Sequence, residues 1–177
     1  MKRKFTLMSF VLLSSCIFLL GMQEGVDVVA YRTMQQGEFT KALEMYIANG
    51  NYSGAGMAYC ALKLYDDAVI NFQKANDFSG AGIAYMGKRA YEKAIQNFEK
   101  AGNRSGLGLV YLGKRDFQKA REHFVKANDQ PGLGLTYLGE HKFKEARDCF
   151  NKAGDKNGLG LVLMAENKYD EALKIFN

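Results

Sequence analysis

The chain has 177 residues, of which 47% are hydrophobic and 24% are charged, and this ordinary globular composition excludes a disordered or collagen-like protein. The formal net charge is +5, but Lys2, Arg3 and Lys4 supply three of those charges ahead of an apolar segment. A net charge this small does not indicate a nucleic-acid partner, because a protein that binds nucleic acid needs a concentrated basic face. A single proline and 19 glycines favour helices joined by tight turns.

The first 22 residues are predicted to be an export signal or membrane anchor. Three positive charges in Met1–Lys4 precede the uncharged residues Phe5–Met22, in the order of a secretory signal and at a length that just suffices to span a membrane. Within this segment, Leu13-Ser14-Ser15-Cys16 resembles the bacterial lipobox, and the resemblance implies that Cys16 is lipidated. Because the residues after Cys16 are apolar, an uncleaved anchor and an ordinary cleaved signal remain alternatives. The expected location is membrane-anchored and exported, as a periplasmic or cell-envelope lipoprotein.

Residues 23–177 are predicted to form one repeat domain with a period of 26 residues. In each copy an alanine has an aromatic residue three positions before it and another four positions after it, and this spacing places all three on one face of a helix, helix B. Next come a glycine or asparagine, which predicts a left-handed helix stop, and then an asparagine or aspartate, which predicts the N-cap of a second helix, helix A. The columns are Ala42, Ala68, Ala94, Ala120, Ala146, Ala172; Gly50, Asn76, Gly102, Asn128, Gly154; and Asn51, Asp77, Asn103, Asp129, Asp155.

Helix A carries two glycines, two residues apart, in five copies; Gly106 and Gly108 are one such pair. A glycine within a helix costs about 1 kcal/mol relative to alanine, and two residues correspond to a rotation of about 200°. The pair therefore predicts that helix A is packed between neighbours on both flanks. A turn is expected at Gly87, Gly113 and Gly139. A phosphate-binding loop is excluded, because it needs a preceding strand and a single site.

The columns are similar to those of the tetratricopeptide repeat. The family's spacings of small, aromatic and alanine positions are reproduced by Gly108, Tyr111, Phe117, Ala120, Phe124 and Ala127. The resemblance covers about residues 24–177 and implies an all-α solenoid of about six helix-turn-helix repeats, which in this family serves as a scaffold for other proteins. The repeat departs from the family in being shorter than the usual 34 residues, and the missing residues come from the start of helix A. The family's carboxylate clamp is not predicted, because the matching columns contain no lysine.

In the family, helix A lines the concave surface that binds partners. Two matching columns of this chain are wholly apolar, namely Met57, Ile83, Leu109, Leu135, Leu161 and Cys60, Met86, Leu112, Leu138, Met164. Two interpretations follow: the residues pack on one another as core, as apolar stripes at helical spacing usually do, or they form an exposed groove for an amphipathic helix or a lipid chain. The candidate partner-binding residues are Met57, Ile83, Met86, Leu109, Leu112, Leu135, Leu138 and Leu161.

The sequence contains no catalytic constellation, and neither a metal nor a cofactor is predicted. It has two histidines and no CxxC pair, too few ligands at the wrong spacing for zinc. His123 and His141 are interpreted as surface residues, and Cys60 and Cys149 as two buried thiols. The predicted A–B turns carry Lys63, Lys88, Arg89, Lys114, Arg115 and Lys142, which either form ordinary soluble turns or meet anionic lipid or an acidic partner.

The predicted function is therefore that of a non-enzymatic scaffold for protein-protein interaction at the bacterial cell envelope. The alternative is a carrier that holds a small apolar ligand or lipid between its helices. The expected partners are other proteins, with the membrane reached through the N-terminal segment and no nucleic acid bound. Because the last copy lacks a polar capping helix, the C-terminal repeat is predicted to associate with another subunit, to bind a partner or to fray.

Overall fold

The computed structural model describes residues 25–176, so the N-terminal segment and Cys16 lie outside the described residues. Within that range the chain is a succession of helices without a strand. None of the helices in the described range is long and apolar enough to cross a membrane.

The helices alternate between the two predicted types. Helices A are α1 (residues 25–35), α3 (Tyr52–Ala61), α5 (Phe78–Gly87), α7 (Arg104–Gly113), α9 (Gln130–Gly139) and α11 (Lys156–Ala165). Helices B are α2 (Phe39–Ala48), α4 (Tyr65–Lys74), α6 (Tyr91–Lys100), α8 (Phe117–Ala127), α10 (Phe143–Ala153) and α12 (Tyr169–Phe176). The six predicted helix pairs are confirmed, and each helix A from α3 onward has the expected 10 residues.

The chain divides into two compact units, Met1–Gly87 and Lys88–Asn177. In the first, α2 packs on α3, α3 on α4 and α4 on α5, while the helices A α3 and α5 also touch each other. In the second, every helix from α6 to α12 packs on the next one, and α9 touches both α7 and α11. Each unit is thus a stack of helix-turn-helix repeats, which confirms the all-α solenoid fold class within each of them.

The predicted stop of helix B and start of helix A are confirmed at every copy. The residue after helix B has a left-handed backbone, with φ of +70° at Gly50, +54° at Asn76, +65° at Gly102, +54° at Asn128 and +66° at Gly154. The asparagine or aspartate that follows accepts a hydrogen bond from the backbone N–H three residues on; Asn103 accepts it from Gly106 at 2.8 Å and Asp129 from Gly132 at 2.8 Å. Such a cap satisfies a backbone donor that the helix itself leaves free.

The paired glycines place helix A between two aromatic rings. A Cβ at Gly106 would lie less than 3 Å from the ring of Phe98 on α6, and a Cβ at Gly108 would lie 2.6 Å from Phe124 Cε1 on α8. The prediction that the two glycines open opposite flanks is therefore confirmed. The same arrangement holds for Gly54 with Tyr46 and Gly56 with Phe72, for Gly132 with Phe124 and Gly134 with Phe150, and for Gly158 with Phe150 and Gly160 with Phe176.

The A–B turns differ from the prediction. Gly87, Gly113 and Gly139 end their helices, and the residue with a left-handed backbone comes two positions later. In five turns it carries a side chain, with φ between 58° and 62° at Lys63, Arg89, Arg115, His141 and Asn167, while Gly37 occupies the position in the first turn. The terminal glycines instead make room for the first aromatic residue of the preceding helix B, because a Cβ at Gly139 would lie 2.9 Å from Phe117 Cε1.

Candidate functional site

One apolar residue near the middle of each helix A forms what we call the apolar line of each unit. In the first unit the line consists of Tyr31, Met57 and Ile83, which are 51%, 43% and 54% exposed. In the second it consists of Leu109, Leu135 and Leu161; Leu109 and Leu161 are 39% and 41% exposed, and Leu135 is half-buried. Five of these six side chains are thus available to solvent within their own unit. Tyr31 was missed among the sequence candidates, although it lies one period before Met57.

The flanking rings explain why this position is the exposed one. In α7, Gly106 and Gly108 are covered by Phe98 and Phe124, while Leu107 and Val110 are buried beneath the helix. Only a narrow strip of the surface of α7 remains exposed to solvent, and Leu109 lies at the centre of this strip. The interpretation in which the whole column packs as core is not supported for Met57, Ile83, Leu109 and Leu161. It does apply to Leu135, which packs against the core of Ala146, Phe150 and Val162.

The helices that carry the line have few charges: α1 has Asp27 and Arg32, α7 has Arg104 and α11 has Lys156. No charged residue occurs in α3, α5 or α9. The polar groups nearby are already hydrogen-bonded, since Ser53 Oγ donates to Asp77 Oδ2 at 2.7 Å and the buried Thr136 Oγ1 donates to the Gly132 carbonyl at 2.8 Å. A partner on this face would bind through burial of apolar surface, at about 25 cal/mol per Å² removed from water.

The second apolar column is mostly structural. Cys60, Met86, Leu112 and Leu138 are half-buried, and Leu112 packs against the core around Ala120 and Phe124. Met164 is the exception, at 45% exposure. Among the sequence candidates, the residues with an open face are therefore Met57, Ile83, Leu109 and Leu161. Leu112, Leu135 and Leu138 pack against the core, and Met86 is half-buried.

His123 was interpreted as a surface residue, but it is half-buried. Its ring stacks on Tyr111 with centroids 5.3 Å apart, and its Nδ1 atom is buried without a hydrogen-bond partner. Burial lowers the pKa of His123 and nearby Lys126 lowers it further, although Glu122 and Glu99 oppose the shift. This contact could not be predicted from the sequence, because Tyr111 lies on α7, the preceding helix A. His141 lies in an exposed turn, as predicted.

Cys60 and Cys149 are both free thiols, as expected. Cys149 is buried, whereas Cys60 is only half-buried. Burial raises the pKa of each thiol, which keeps both protonated and unreactive at neutral pH.

Ion pairs neutralise part of the charge in the A–B turns. Lys114 Nζ lies 3.1 Å from Glu92 Oε1, and Lys168 Nζ lies 3.0 Å from Glu166 Oε2. Glu140 contacts Lys142 and also Arg121, and these cations outweigh the effect of burial and lower the pKa of its carboxyl. The ordinary soluble turn is therefore the better interpretation of the second unit's turns.

A cavity of about 530 Å³ lies beside the start of α7 in the second unit. Its lining combines the charged residues Glu99, Arg104 and Lys126 with the apolar residues Leu107 and Ala127. Across residues 25–176, no group of His, Cys, Asp or Glu side chains could hold a metal ion.

The fold and the exposed apolar line of each unit together define an all-α protein of helix-turn-helix repeats. No protein-family model matches the chain, and neither a curated protein nor a solved structure matches it.

Proposed function

We propose that this chain is a tetratricopeptide-like interaction protein of the bacterial cell envelope, which binds other proteins through the apolar lines of its helices A and catalyses no reaction. The N-terminal segment would hold it at the membrane, either as a lipoprotein modified at Cys16 or as an anchored protein. The observation that carries this proposal is the exposure of Met57, Ile83, Leu109 and Leu161 on helices that have few charges.

Exposed apolar side chains in a repeated register suit an apolar helix or peptide better than a small solute. A partner helix would place its own apolar residues at intervals of three and four against them. An apolar patch of this kind marks interaction surfaces in soluble proteins. Self-association through the last repeat stays a prediction.

The test is the double variant Leu109→Gln and Leu161→Gln in the full chain. Because both side chains are exposed, the melting temperature should stay unchanged. Each lost apolar contact with a partner is worth on the order of 1–2 kcal/mol, so partner binding should weaken at least about tenfold. The measurement is quantitative mass spectrometry of proteins that co-purify with the tagged chain from solubilised membranes.

Val125→Gln supplies the matched control, since Val125 is 64% exposed on α8 and lies outside the line. It makes the same kind of change and should leave the co-purifying proteins as they are. If the double variant retains the same partners in the same amounts as Val125→Gln, the line is not the partner site.

The alternative function, a carrier of an apolar ligand or lipid, would use the same exposed residues. Native mass spectrometry of protein purified from its own host separates the two. A lipid adduct that disappears in the Leu109→Gln and Leu161→Gln variant would support the carrier, whereas an adduct of protein mass supports the scaffold.

A further inference from the structure

The second unit contains a cavity to which the proposed function assigns no role. It lies beside the start of α7 and the end of α8 and has a volume of about 530 Å³. Three residues whose side chains donate hydrogen bonds line it, namely Arg104, Ser105 and Lys126. Glu99 is the one carboxylate in the lining, so cations outnumber carboxylates two to one. A cavity with this balance attracts an anion.

The first unit has a different pair of side chains at the same positions of the repeat. Lys74, two repeats before Lys126, lies with its Nζ 5.4 Å from the centroid of the Tyr52 ring. Tyr52 in turn lies two repeats before Arg104. The second unit therefore has a guanidinium where the first has an aromatic ring, and two neighbouring cations replace a cation–π contact.

Neither of these two cations is neutralised by the chain. Arg104 Nη1 donates to the Lys126 carbonyl oxygen at 3.4 Å, which brings the two residues together but leaves both charges unpaired. Among the described residues neither side chain forms an ion pair, whereas Lys114 in the A–B turn lies 3.1 Å from Glu92. Like charges held side by side repel each other, and an anion bound between them would remove that repulsion.

The hydroxyl of Ser105 also lacks an internal acceptor. Its counterpart two repeats earlier, Ser53, donates to Asp77 Oδ2 at 2.7 Å. The corresponding aspartate of the second unit is Asp129, which accepts no such bond, and Ser105 makes no side-chain hydrogen bond within the described part of the chain. The hydroxyl is therefore available to donate to the same anion as the two cations.

The cavity adjoins the apolar line of the second unit. Ser105 and Leu109 are four residues apart on α7, so they lie on the same face of the helix, with Cβ atoms about 5–6 Å apart. A partner that covers Leu109 would thus have a neighbouring side chain, about one helical turn away, within reach of the cavity.

The two units differ in charge in a way that favours an acidic partner for the second one. Residues 88–177 contain 17 basic and 12 acidic residues, whereas residues 25–87 contain 4 basic and 6 acidic ones. A positive unit draws an acidic partner toward it and repels a basic one.

From these observations we propose that the cavity beside α7 binds a side-chain carboxylate of the partner that lies on the apolar line of the second unit. The partner segment carries an aspartate or a glutamate about one helical turn from an apolar residue. Its carboxylate accepts hydrogen bonds from Arg104, Ser105 and Lys126, while the apolar residue covers Leu109. This inference rests on the proposed function, because the same segment occupies the line.

Two synthetic peptides provide the test. Both are helical peptide amides of about five turns with leucines at intervals of three and four; the residues beside the leucines are glutamates in one and glutamines in the other. Isothermal titration calorimetry measures the binding of each to the full-length chain in phosphatidylcholine nanodiscs, with empty nanodiscs as the blank. At low ionic strength the glutamate peptide should bind at least about tenfold more tightly, the ratio expected for one charge-assisted hydrogen bond. Equal affinities would overturn the assignment.

Variants of the cavity locate the carboxylate. The double variant Arg104→Gln and Lys126→Gln should abolish the preference for glutamate, and a preference that survives it would place the carboxylate elsewhere. Arg104→Tyr restores the pair that the first unit has at these positions, so it should reduce the preference without lowering the melting temperature. Lys152→Gln is the matched control, because Lys152 is one repeat after Lys126 and the residue one repeat after Arg104 is the neutral Gln130. It should leave the preference unchanged.

The same titrations separate this inference from the proposed function. If the glutamine peptide binds, and binds more weakly to the Leu109→Gln and Leu161→Gln variant, the line is a binding site even where the glutamate preference is absent. A glutamate preference without any effect of that variant would keep the carboxylate site and reject the line. A glutamine peptide with a free C-terminal carboxylate that matched the glutamate peptide would assign the cavity to a chain terminus and overturn the side-chain assignment. Binding of neither peptide would overturn both proposals.

Discussion

At the scale of single residues, His123 is a side chain whose surroundings disfavour its charged form. It stacks on Tyr111, over which Lys119 Nζ also lies, 5.3 Å from the ring centroid. Lys126 on the same helix and Arg104 at the start of α7 also act on it. A proton on His123 would add a fourth cation to Lys119, Lys126 and Arg104, opposed by Glu122 and Glu99, beside a buried ring atom without a partner. The neutral imidazole is therefore the form that the fold favours.

The stability of the second unit should accordingly depend on pH through His123. Because the folded state lowers the pKa of this residue below its ordinary value of 6.5, its contribution is fully present above about pH 6.5 and is lost as the pH falls toward the folded value. Urea denaturation at about pH 8 and about pH 5 measures the change in the free energy of unfolding.

His123→Asn is the matched variant, because asparagine occupies the same register at Asn71 and Asn97. There the side-chain amide donates to the carbonyl four residues earlier, at 2.8 Å in both copies. The variant should lose the part of the pH dependence that wild type shows near pH 6. A wild type and a variant with the same pH dependence would assign it to other groups.

The conformation of a residue could be predicted from the sequence where it depends on the residue's own side chain and backbone. It could not be predicted where it depends on packing against a neighbouring helix. Gly50 predicts the end of a helix and Asn51 predicts the N-cap of the next one, because each residue determines the conformation or the hydrogen bonding of the backbone close to it. Lys63 and Arg115 adopt the same left-handed backbone in the A–B turns, but neither residue type signals it. The position of His123 against Tyr111 likewise depends on packing between two helices, which a repeat period does not encode.

At the scale of the helix, the short helix A is held by close contact of backbone and ring. Phe72, Phe98, Phe124 and Phe150 are among the most deeply buried side chains of the chain. The rings approach helix A most closely at glycines such as Gly106, Gly108 and Gly132, where a methyl group would occupy the volume of the ring. The ten-residue helix is too short to be stable alone, so these contacts determine whether it forms.

Gly108→Ala should therefore destabilise the chain, although alanine favours helix. Its Cβ would lie 2.6 Å from Phe124 Cε1, and overpacking of this kind costs about 1–3 kcal/mol. Gly113→Ala, at the end of the same helix, is the control. Its Cβ would lie 3.4 Å from Tyr91, an ordinary contact, so the free energy of unfolding should change by less than about 1 kcal/mol. If urea denaturation shows equal losses for both variants, the ring contact is not the cause.

The packing of each helix explains why only part of the candidate site could be predicted from the sequence. The period assigned Leu109 and Leu135 to one column, and both are leucines on a helix A. Yet Leu109 is exposed, whereas Leu135 packs against Phe150 and Val162. The same position in the repeat thus predicts which column a residue belongs to, but not how exposed its side chain is. The exposure depends on how closely the next helix pair packs.

At the scale of the whole molecule, the attachment of the chain to the membrane stays a prediction, because Cys16 lies outside the described residues. Cells grown with radiolabelled fatty acid should incorporate label into the wild type and not into Cys16→Ala. Cys60→Ala is the control, which should retain the label because Cys60 is half-buried in the repeat. Equal labelling of wild type and Cys16→Ala would contradict the lipobox and leave an anchor or a cleaved signal.

The rings of helix B have a consequence for how the gene can change. Phe124 packs against Gly108 of its own helix pair and Gly132 of the next, and Phe150 repeats this with Gly134 and Gly158. These junctions between copies of the second unit therefore present the same pair of complementary surfaces. A duplication or loss of 26 codons through unequal recombination joins one such surface to its usual counterpart. Selection can then change the number of repeats in the chain one repeat at a time. Each intermediate chain would still fold.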